Sequence, residues 1–419
     1  MPEEIEPIVV IVGAGHAAGF LATSLREGGW RGQVVLIGAE AHLPYQRPPL
    51  SKAFLSGEIE LAELLLKPQS TYDSAGVTVL PDTRVERIER TRKTVTLSDG
   101  KSLQYHKLVL ATGGRARRLA SPGMEGMDCQ PNVHYLRSID DVLRIRAQFR
   151  PGARLVIIGA GYVGLEVAAI AIKRGLNVTV LETQERVLAR VTAPAISALY
   201  ERVHRAHGVD VRTAVEVTGY QLGPFGDAVA ALLCGDGTRI AADLVIVGIG
   251  LVPNTELAAA AGLAVANGIV VDEYNRSSDP DVFAIGDCSN HPNGIFGQCL
   301  RLESVPNAME QARTAAATLC GKPKPYNTVP WFWSDQYDLK LKMAGLSQGY
   351  DQLVLRGDAA GQSFSAFYLK QGRMLAADTI NRPQDFMLAK RFIAEAVALR
   401  ADDLADESIP LKSLLPAAS

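Results

Sequence analysis

A glycine-rich turn after a short apolar strand occurs twice in this chain, and it constrains the possible folds more than any other feature. The first copy is residues 13–18 (GAGHAA), after the apolar run at 8–12. The second is residues 159–164 (GAGYVG), after the run at 155–158. A helix-like stretch and a second short strand follow each turn, so each copy predicts a β-α-β unit.

The glycines of these turns suit the pyrophosphate of a dinucleotide. In the first copy, Gly13 would form the tight turn and Gly15 would let the backbone approach the ligand. Ala18 replaces the third glycine, as the G-x-G-x-x-G/A pattern allows. The pyrophosphate would lie at the helix N-terminus, where free amide groups and the helix dipole favour negative charge. The alternative is a tight turn that binds nothing.

An acidic residue at the end of the second strand of each unit is expected to bind a ribose. Glu40 holds this position in the first copy and Glu182 in the second. A carboxylate at Glu182 would accept hydrogen bonds from both ribose hydroxyls and repel a 2′-phosphate, which favours NADH over NADPH. Arg186 and Arg190 lie close in sequence and could still accept a phosphate. For Glu40, the alternative is a solvated loop carboxylate.

The repetition extends beyond the two turns. Residues 96–100 with 108–113 match residues 232–237 with 244–250: a strand, an Asp-Gly turn and a second strand that ends in glycine. This indicates a duplication of whole domains, because solenoid repeats have periods of only about 20–50 residues. After residue 321 come a proline-rich stretch, several strand-like runs and a closing helix predicted over residues 383–399.

The predicted fold class is therefore α/β, with two Rossmann-like dinucleotide-binding domains and a small α+β C-terminal domain. The predicted boundaries give a first domain of residues 1–114 and 247–325 and a second of residues 115–246. The C-terminal domain would comprise residues 326–419.

Charge and cysteine content argue against several classes of protein. The formal net charge is −2, so no global basic field indicates nucleic-acid binding. No run of about 18 apolar residues predicts a membrane span, and residues 1–7 are acidic, without the apolar run of a signal peptide. The five cysteines include no C-x-x-C or C-x₄-C pair. We therefore expect no metal site and no disulfide framework, and a reducing, cytoplasmic setting.

Two further motifs contain polar residues suited to a flavin. Residues 44–52 (PYQRPPLSK) end in Lys52, a cation that could stabilise negative charge on a reduced flavin ring. Ser51 could cap the helix that follows. Residues 277–287 deliver Asp287 to a predicted helix start, where it could accept hydrogen bonds from ribitol hydroxyls. The alternatives are a surface lysine in a rigid loop and an ordinary helix N-cap.

Together these motifs resemble the FAD-dependent, NADH-linked ferredoxin reductases of the putidaredoxin and rhodocoxin reductase type, among the glutathione-reductase-like flavoproteins. The resemblance covers nearly the whole chain and includes RPPLSK at 47–52, ATGG at 111–114, ESVPNA at 303–308 and WFWSDQ at 331–336. It implies FAD in the first domain, NADH in the second, and a separate, acidic 2Fe–2S ferredoxin as transient partner. A local basic surface is then expected, with Arg301, Lys340 and Lys342 as candidates.

The resemblance also implies roles for individual residues. Lys52 would pair with Glu166 near flavin N5. Glu166 is expected on the first turn of the NAD-site helix, where the helix dipole would favour a carboxylate in any case. Trp333 would lie by the flavin from the C-terminal domain. The remaining predicted cofactor contacts are Gly13, Gly15, His16, Ala17, Glu40, Arg47, Val85, Thr112, Gly113, Arg137, Gly159, Gly161, Val163, Gly164, Glu182, Arg190, Gly250, Asp287 and Val305.

The activity that the resemblance implies is hydride transfer from NADH to FAD, followed by electron transfer to a ferredoxin that supplies a cytochrome monooxygenase. The alternatives are the reductase of a ring-hydroxylating dioxygenase system, a peroxide-producing NADH oxidase, and an NADH-sensing flavoprotein like apoptosis-inducing factor. A disulfide reductase is disfavoured because the chain has no adjacent cysteine pair. The expected oligomeric state is a monomer or weak dimer.

Overall fold

The computed structural model describes residues 6–416, so residues 1–5 of the acidic N-terminal segment lie outside it. Its strands are β1 (Ile8–Val12), β2 (Gln33–Ile37), β3 (Val77–Leu80), β4 (Val85–Glu89), β5 (Thr94–Leu97), β6 (Ser102–Gln104), β7 (Lys107–Leu110), β8 (Gly114–Ala116), β9 (Val133–Tyr135), β10 (Arg154–Ile158), β11 (Asn177–Leu181), β12 (Asp210–Arg212), β13 (Val217–Leu222), β14 (Val229–Cys234), β15 (Arg239–Ala241), β16 (Leu244–Val247), β17 (Leu251–Pro253), β18 (Ile269–Val270), β19 (Val282–Ala284), β20 (Ser289–Asn293), β21 (Gln298–Leu300), β22 (Trp331–Gln336), β23 (Leu339–Gly345), β24 (Gln352–Asp358), β25 (Ser363–Lys370) and β26 (Arg373–Ile380). Its α-helices are α1 (His16–Gly28), α2 (Ala53–Ser56), α3 (Leu61–Leu64), α4 (Gln69–Ser74), α5 (Ile139–Arg146), α6 (Tyr162–Lys173), α7 (Pro194–Ala206), α8 (Glu256–Ala260), α9 (Val305–Leu319), α10 (Pro383–Ala394) and α11 (Ala401–Ala405).

The first sheet is parallel, with the strand order β19-β7-β1-β2-β3. Val9 and Ile11 of β1 pack on one face with α1 and α9, and Val10 and Val12 pack on the other face. Because both faces of the strand are covered, its sequence is a continuous apolar run instead of an alternating one. The carboxyl end of β1 leads directly into the first glycine turn.

The second sheet repeats this order at four positions, and the outer strand differs, because β19 follows β7 in the chain whereas β9 precedes β10. Its order is β12-β11-β10-β16-β9, so β10, which precedes the second glycine turn, holds the place that β1 holds in the first sheet. Each sheet has its own antiparallel companion of three strands, β4-β5-β6 for the first copy and β13-β14-β15 for the second. The predicted duplication of a Rossmann-like domain is confirmed.

The C-terminal part of the chain contains a five-stranded antiparallel sheet of order β22-β23-β26-β25-β24. The first of these strands, β22, was not predicted as a strand, because it opens with three aromatic residues that do not alternate with polar ones. The predicted closing helix is too long. Helix α10 ends at Ala394, and Ala396 has a φ of +48°, which a right-handed helix cannot accommodate.

The described chain forms two compact units. The first consists of the residues up to Arg47, Leu61–Arg115 and Val252–Pro330, and the second of Pro48–Glu60, Ala116–Leu251 and the residues from Trp331 onward. The second unit therefore contains the second Rossmann-like sheet, the C-terminal sheet and the short segment that carries Lys52. The three-domain boundaries stay a prediction. None of the helices within residues 6–416 combines the length and the apolar character that a membrane crossing requires.

Candidate cofactor and electron-transfer site

Both glycine turns have the backbone geometry of a phosphate cradle. Gly13 and Gly159 have φ angles of +109° and +104°, and a Cβ added to them would lie 2.2 Å and 2.4 Å from a backbone carbonyl oxygen. Gly15 and Gly161 differ from them, because their φ angles of −84° and −77° suit any residue. A Cβ at either would meet no protein atom within 4 Å. The protein itself does not require glycine there, as expected where the backbone must approach a ligand. Both turns fit a dinucleotide pyrophosphate.

The acid after the first turn is held by a hydrogen-bonded ion pair. The Tyr45 hydroxyl donates to Glu40 Oε2 at 2.5 Å, and Arg47 Nη2 donates to Glu40 Oε1 at 2.6 Å. Glu40 is thus bonded within the protein while its side chain stays 34% exposed, and its binding of a ribose stays a prediction.

His16, the first residue of α1, has a buried ring nitrogen that fits a bound ligand. Burial lowers the pKa of His16 to about 4, with Asp287 opposing the shift and Arg47 adding to it. The ring is therefore neutral near pH 7. Its Nδ1 atom is buried, with no hydrogen-bond partner among the described residues. Buried polar atoms normally have a partner, so a ligand beside the first glycine turn would satisfy this one.

The acid after the second turn is held by backbone amides. Glu182 Oε2 accepts from the Ala160 amide at 2.8 Å, and Oε1 accepts from the Gln184 amide at 3.0 Å. The Thr183 hydroxyl also donates to Oε1, at 3.3 Å. A carboxylate offers about four acceptor positions, so about one remains for a ribose hydroxyl. Arg186 is already bonded to two carbonyl groups and a serine hydroxyl at 2.6–2.9 Å, whereas Arg190 is exposed.

Lys52 and Glu166, the two residues predicted to act near the flavin, form an ion pair. Lys52 Nζ lies 2.7 Å from Glu166 Oε2, and the two side chains are 22% and 4% exposed. The Ser51 hydroxyl donates to the same oxygen at 2.5 Å. The prediction that Ser51 caps the next helix is therefore wrong, since its hydroxyl is used by the carboxylate and α2 has no side-chain cap.

Glu166 lies in the second turn of α6, so its predicted position in the first turn is wrong. The helix begins at Tyr162, after the N-cap Gly161, and its first turn contains no acidic residue. The field of the helix dipole falls off within one turn, so it does not explain a buried carboxylate at this position. The charge of Glu166 is matched by Lys52 and by hydroxyl groups.

Three residues near this pair were missed by the sequence analysis. The Ser334 hydroxyl donates to Glu166 Oε1 at 2.6 Å, Gln336 Nε2 donates to Ser334 Oγ at 3.1 Å, and His204 Nε2 lies 2.8 Å from Gln336 Oε1. Ser334 and Gln336 are buried on β22 while Asp335 between them is exposed. Alternating polar residues inside the motif WFWSDQ were the available signal, because alternate residues of a strand share one face.

The other predicted residues have varied surroundings. The prediction of a helix start at Asp287 is corrected, because Asp287 lies in a short 3₁₀ turn, Gly286–Cys288.

The remaining predicted contacts lie in both units. In the first unit, Ala17 and Val85 are buried and Val305 begins α9. The Thr112 hydroxyl donates to the Asn254 carbonyl at 2.6 Å, and Gly113 has a φ of +60°. In the second unit, Val163 is 43% exposed, Trp333 is half-buried, the Arg137 amide donates to Asp141 at 3.1 Å, and Gly250 has a φ of +111°.

The cysteines do not provide a redox pair. All five lie within residues 6–416, and none forms a disulfide. Burial raises the pKa of the Cys288 thiol, which makes it less reactive as a nucleophile. Within the same residues, no group of histidine, cysteine and acidic side chains could hold a metal ion.

The whole sequence matches known redox proteins. The family model of the pyridine nucleotide-disulphide oxidoreductases matches residues 7–312, and the reductase C-terminal model matches residues 331–415. Putidaredoxin reductase of Pseudomonas putida is 49% identical over 411 residues, which cover 98% of this chain and 97% of that protein. Rhodocoxin reductase of Rhodococcus erythropolis is 43% identical over 405 residues, covering 96% and 93%.

A solved structure agrees with these matches. The crystal structure of the covalent putidaredoxin reductase–putidaredoxin complex matches this fold with a TM-score of 0.94 at 49% identity, covering 97% of this chain and 98% of that one. The predicted fold class, the cofactors FAD and NAD(H) and the oxidoreductase activity are confirmed. The chain belongs to the FAD-dependent, NADH-linked ferredoxin reductases of the pyridine nucleotide-disulphide oxidoreductase family.

Proposed function

We propose that this chain transfers electrons from NADH to an acidic 2Fe–2S ferredoxin that supplies a cytochrome monooxygenase. The observation that carries the proposal is the ion pair between Lys52 and Glu166, a buried carboxylate on the helix that follows the second glycine turn. FAD, when bound, supplies the chemistry that accepts a hydride and releases its two electrons singly. The residues of the chain bind the two nucleotides, orient them and balance the charge that develops.

Lys52 would place its positive charge beside the part of the flavin where negative charge develops. Glu166 fixes the ammonium group, since its carboxylate is almost fully buried and lies 2.7 Å from Nζ. Breaking such a pair would leave an uncompensated buried charge, which costs about 3–5 kcal/mol. The lysine is therefore held in one place when NADH arrives.

The two nucleotide sites would use different residues. Gly15, His16, Arg47 and Asp287 are proposed to hold FAD, with Gly13, Ala17, Glu40, Val85, Thr112, Gly113, Arg137, Val305 and Trp333 as further contacts. Glu182 would select NADH, because a 2′-phosphate would meet its carboxylate. Gly159, Gly161, Val163, Gly164, Arg190 and Gly250 would complete that site.

A ferredoxin partner is supported by the 49% identity to the reductase of the putidaredoxin complex. Arg301 is a poor docking residue, because it is only 12% exposed and is paired with Glu303 at 2.7 Å. Lys340 is exposed and is the best of the three candidates, whereas Lys342 is half-buried with its ammonium 5.5 Å from the centre of the Phe386 ring. A cytoplasmic location is part of the proposal, because five unpaired cysteines suit a reducing compartment.

The partner is tested by mixing the FAD-loaded protein anaerobically with NADH and a panel of 2Fe–2S ferredoxins. We expect rapid bleaching of the flavin and fastest cluster reduction with ferredoxins of cytochrome monooxygenase systems. Faster reduction of ferredoxins from ring-hydroxylating dioxygenase systems would move the proposal to that pathway. Failure with every ferredoxin, together with rapid oxygen consumption in air, would identify an NADH oxidase. Slow bleaching with a change of oligomeric state would identify an NADH sensor.

The role of the ion pair is tested with Lys52→Met, which keeps the apolar stem and removes the charge. We expect flavin reduction at saturating NADH to slow about 100-fold, the usual effect of losing one charge-stabilising group, while FAD content stays unchanged. Lys173→Met is the matched control, because Lys173 is an exposed lysine at the end of α6, the helix that carries Glu166. Equal rates in the two variants would contradict the role given to Lys52.

A further inference from the structure

Glu166 is the end point of a buried chain of hydrogen bonds that the proposed function does not use. The chain runs from His204 through Gln336 and Ser334 to Glu166 Oε1, over distances of 2.8, 3.1 and 2.6 Å. His204 and Ser334 are 0% exposed and Gln336 is 2% exposed. Burying a polar group costs free energy, so a continuous chain of buried polar groups needs an explanation beyond packing.

The hydrogen bonds of this chain have one consistent direction. The Gln336 amide nitrogen donates to Ser334 Oγ, so the serine hydrogen is left for Glu166. The Gln336 amide oxygen then accepts from His204, which requires the imidazole hydrogen on Nε2. The Tyr337 hydroxyl, 3.3 Å from Nδ1, can donate to the other ring nitrogen. Every donor in the chain therefore points toward the Glu166 carboxylate.

His204 has the protonation state that this direction requires. Burial lowers its pKa to about 4, against a smaller opposite effect of Gln336 and with a contribution from His207 in the same direction as burial. The ring is neutral near pH 7 and carries a single hydrogen, which the Gln336 oxygen holds on Nε2. A neutral imidazole fits this place because it can donate from one nitrogen and accept at the other.

The two oxygens of Glu166 are divided between two sets of partners. Oε2 is bonded to Lys52 and Ser51, and Oε1 is bonded to Ser334. The carboxylate cannot turn without breaking one set. Since Ser334 and Gln336 belong to the C-terminal sheet and His204 to α7, the second compact unit uses two further elements to fix the orientation of one side chain on α6.

We propose that Gln336 and His204 are positioning residues for the reduction of the flavin by NADH. They hold the Ser334 hydroxyl on Glu166, and Glu166 in turn fixes the ammonium group of Lys52. Neither residue needs to touch a cofactor. The inference rests on the proposed function, because it requires the Lys52–Glu166 pair to act in hydride transfer.

The first test replaces the glutamine with an apolar residue of similar size. Gln336→Leu should slow flavin reduction at saturating NADH about tenfold, because a buried serine hydroxyl loses the bond that fixes its direction. The affinity for NADH and the FAD content should stay unchanged. Ser365→Ala is the matched control, since Ser365 is a fully buried serine of the same sheet that bonds to Asp385. In the Ser365→Ala variant, NADH should reduce the flavin at the wild-type rate.

A pair of substitutions at His204 gives an independent test if Gln336→Leu fails to fold. His204→Gln can still donate to Gln336, because its amide nitrogen reaches about as far as Nε2, so it should keep most of the rate. His204→Phe fills the space without a donor and should be slowed like Gln336→Leu. Equal rates in the glutamine and phenylalanine variants would overturn the inference.

The decisive measurement is a double-mutant cycle with Glu166→Gln. If Gln336 acts through Glu166, adding Gln336→Leu to Glu166→Gln should slow flavin reduction no further. An additional tenfold loss in the double variant would overturn the inference and assign Gln336 a purely structural role. The two proposals fail differently. A wild-type rate in Lys52→Met removes the role proposed for the ion pair and this inference with it, whereas a slow Lys52→Met beside a wild-type Gln336→Leu removes this inference alone. Failure with every ferredoxin removes the proposed function without deciding the roles of Gln336 and His204.

Discussion

The two glycine turns follow equivalent strands of two sheets that share the order of four strands, yet the turns differ at the position of Ala18 and Gly164. The first turn has Ala18 there, fully buried and accommodated. The second has Gly164, where a Cβ would lie 2.2 Å from the carbonyl oxygen of Gly159. Helix α6 therefore approaches its own turn so closely that no methyl group fits between them, while α1 leaves room for one. Two nearly identical sequence patterns thus encode different helix–turn distances.

The acids that follow the two turns differ as well. Glu40 is paired with a cation, Arg47, at 2.6 Å. Glu182 is held by two backbone amides and the Thr183 hydroxyl, and it forms no ion pair with any residue in the described part of the chain. An acid neutralised inside the protein suits a cofactor that stays bound. An acid that keeps its net charge can discriminate between nucleotides that come and go, by repelling the one with the extra phosphate.

The largest effect that separates the two turns is expected from Gly164→Ala, which gives the second turn the residue of the first. The added methyl group would overlap a backbone oxygen that cannot move away as a side chain could. We expect transition-state stabilisation in the reaction with NADH to fall by about 3 kcal/mol, which lowers kcat/KM about 100-fold. The FAD content, read from the flavin absorbance, should be unchanged. Wild-type kcat/KM would mean that the close approach in the second turn is not needed for NADH.

A third feature of the second copy is Thr192, which lies between β11 and α7 and is bonded to the C-terminal sheet. Its hydroxyl donates to Asp378 of the C-terminal sheet, as does Tyr368 at 2.5 Å. Burial raises the pKa of Asp378 to about 6, although both hydroxyls act in the opposite direction. The folded protein therefore keeps a proton that the unfolded chain, with a carboxyl pKa near 3.9, releases at lower pH.

The consequence is a loss of stability as pH rises. Between about pH 4 and pH 6 the folded state binds more protons than the unfolded state, so the free energy of unfolding should fall by up to about 3 kcal/mol and then level off. Asp378→Asn keeps an acceptor for both hydroxyls and should lack this component. Urea unfolding of both proteins from about pH 4 to 8 would measure it. Parallel curves for the two proteins would contradict the raised pKa.

The features that the sequence predicted correctly are local ones. The glycine turns, the strands beside them and the duplicated order follow from residue types a few positions apart, and Lys52 lies in a short motif. The prediction of Glu166 as its partner came from the family resemblance, and the geometry agrees with it. The three missed residues and the wrong role of Ser51 concern contacts between distant parts of the chain. Ser51 and Glu166 are 115 positions apart, His204 and Gln336 are 132 apart, and Glu166 and Ser334 are 168 apart.

No local pattern specifies such contacts, because they depend on how whole elements pack. The same reason explains β22, whose aromatic run gives no alternation although Ser334 and Gln336 share its buried face. It also explains the over-long closing helix. The residues after Ala394 continue with good helix formers, and only the positive φ of Ala396 shows that the chain has turned.

A smaller effect is expected from Glu182→Ala, which tests the difference between the two acids. Losing a charged acceptor for ribose hydroxyls should weaken NADH binding by about 2 kcal/mol and so raise KM for NADH roughly 30-fold. The difference in KM between NADH and NADPH should become smaller, because the carboxylate no longer repels the 2′-phosphate. Gln184→Ala is the control, because only the backbone amide of Gln184 contacts Glu182. Steady-state kinetics would measure KM for NADH and for NADPH in both variants. An equal rise in KM for NADH and NADPH would show that Glu182 holds the turn without selecting the nucleotide.

The smallest effect is expected from Ala18→Gly, the reverse exchange, which gives the first turn the complete glycine pattern. Ala18 lies in the first turn of α1 and is fully buried, so the loss of its methyl group removes helix propensity and a small contact but relieves no overlap. We expect a loss of about 1 kcal/mol in the free energy of unfolding and an unchanged affinity for FAD. Urea unfolding and titration of the apoprotein with FAD would measure the two quantities. A marked loss of FAD affinity would mean that the methyl group itself shapes the first site, and that alanine there is a requirement of FAD binding instead of a tolerated exception.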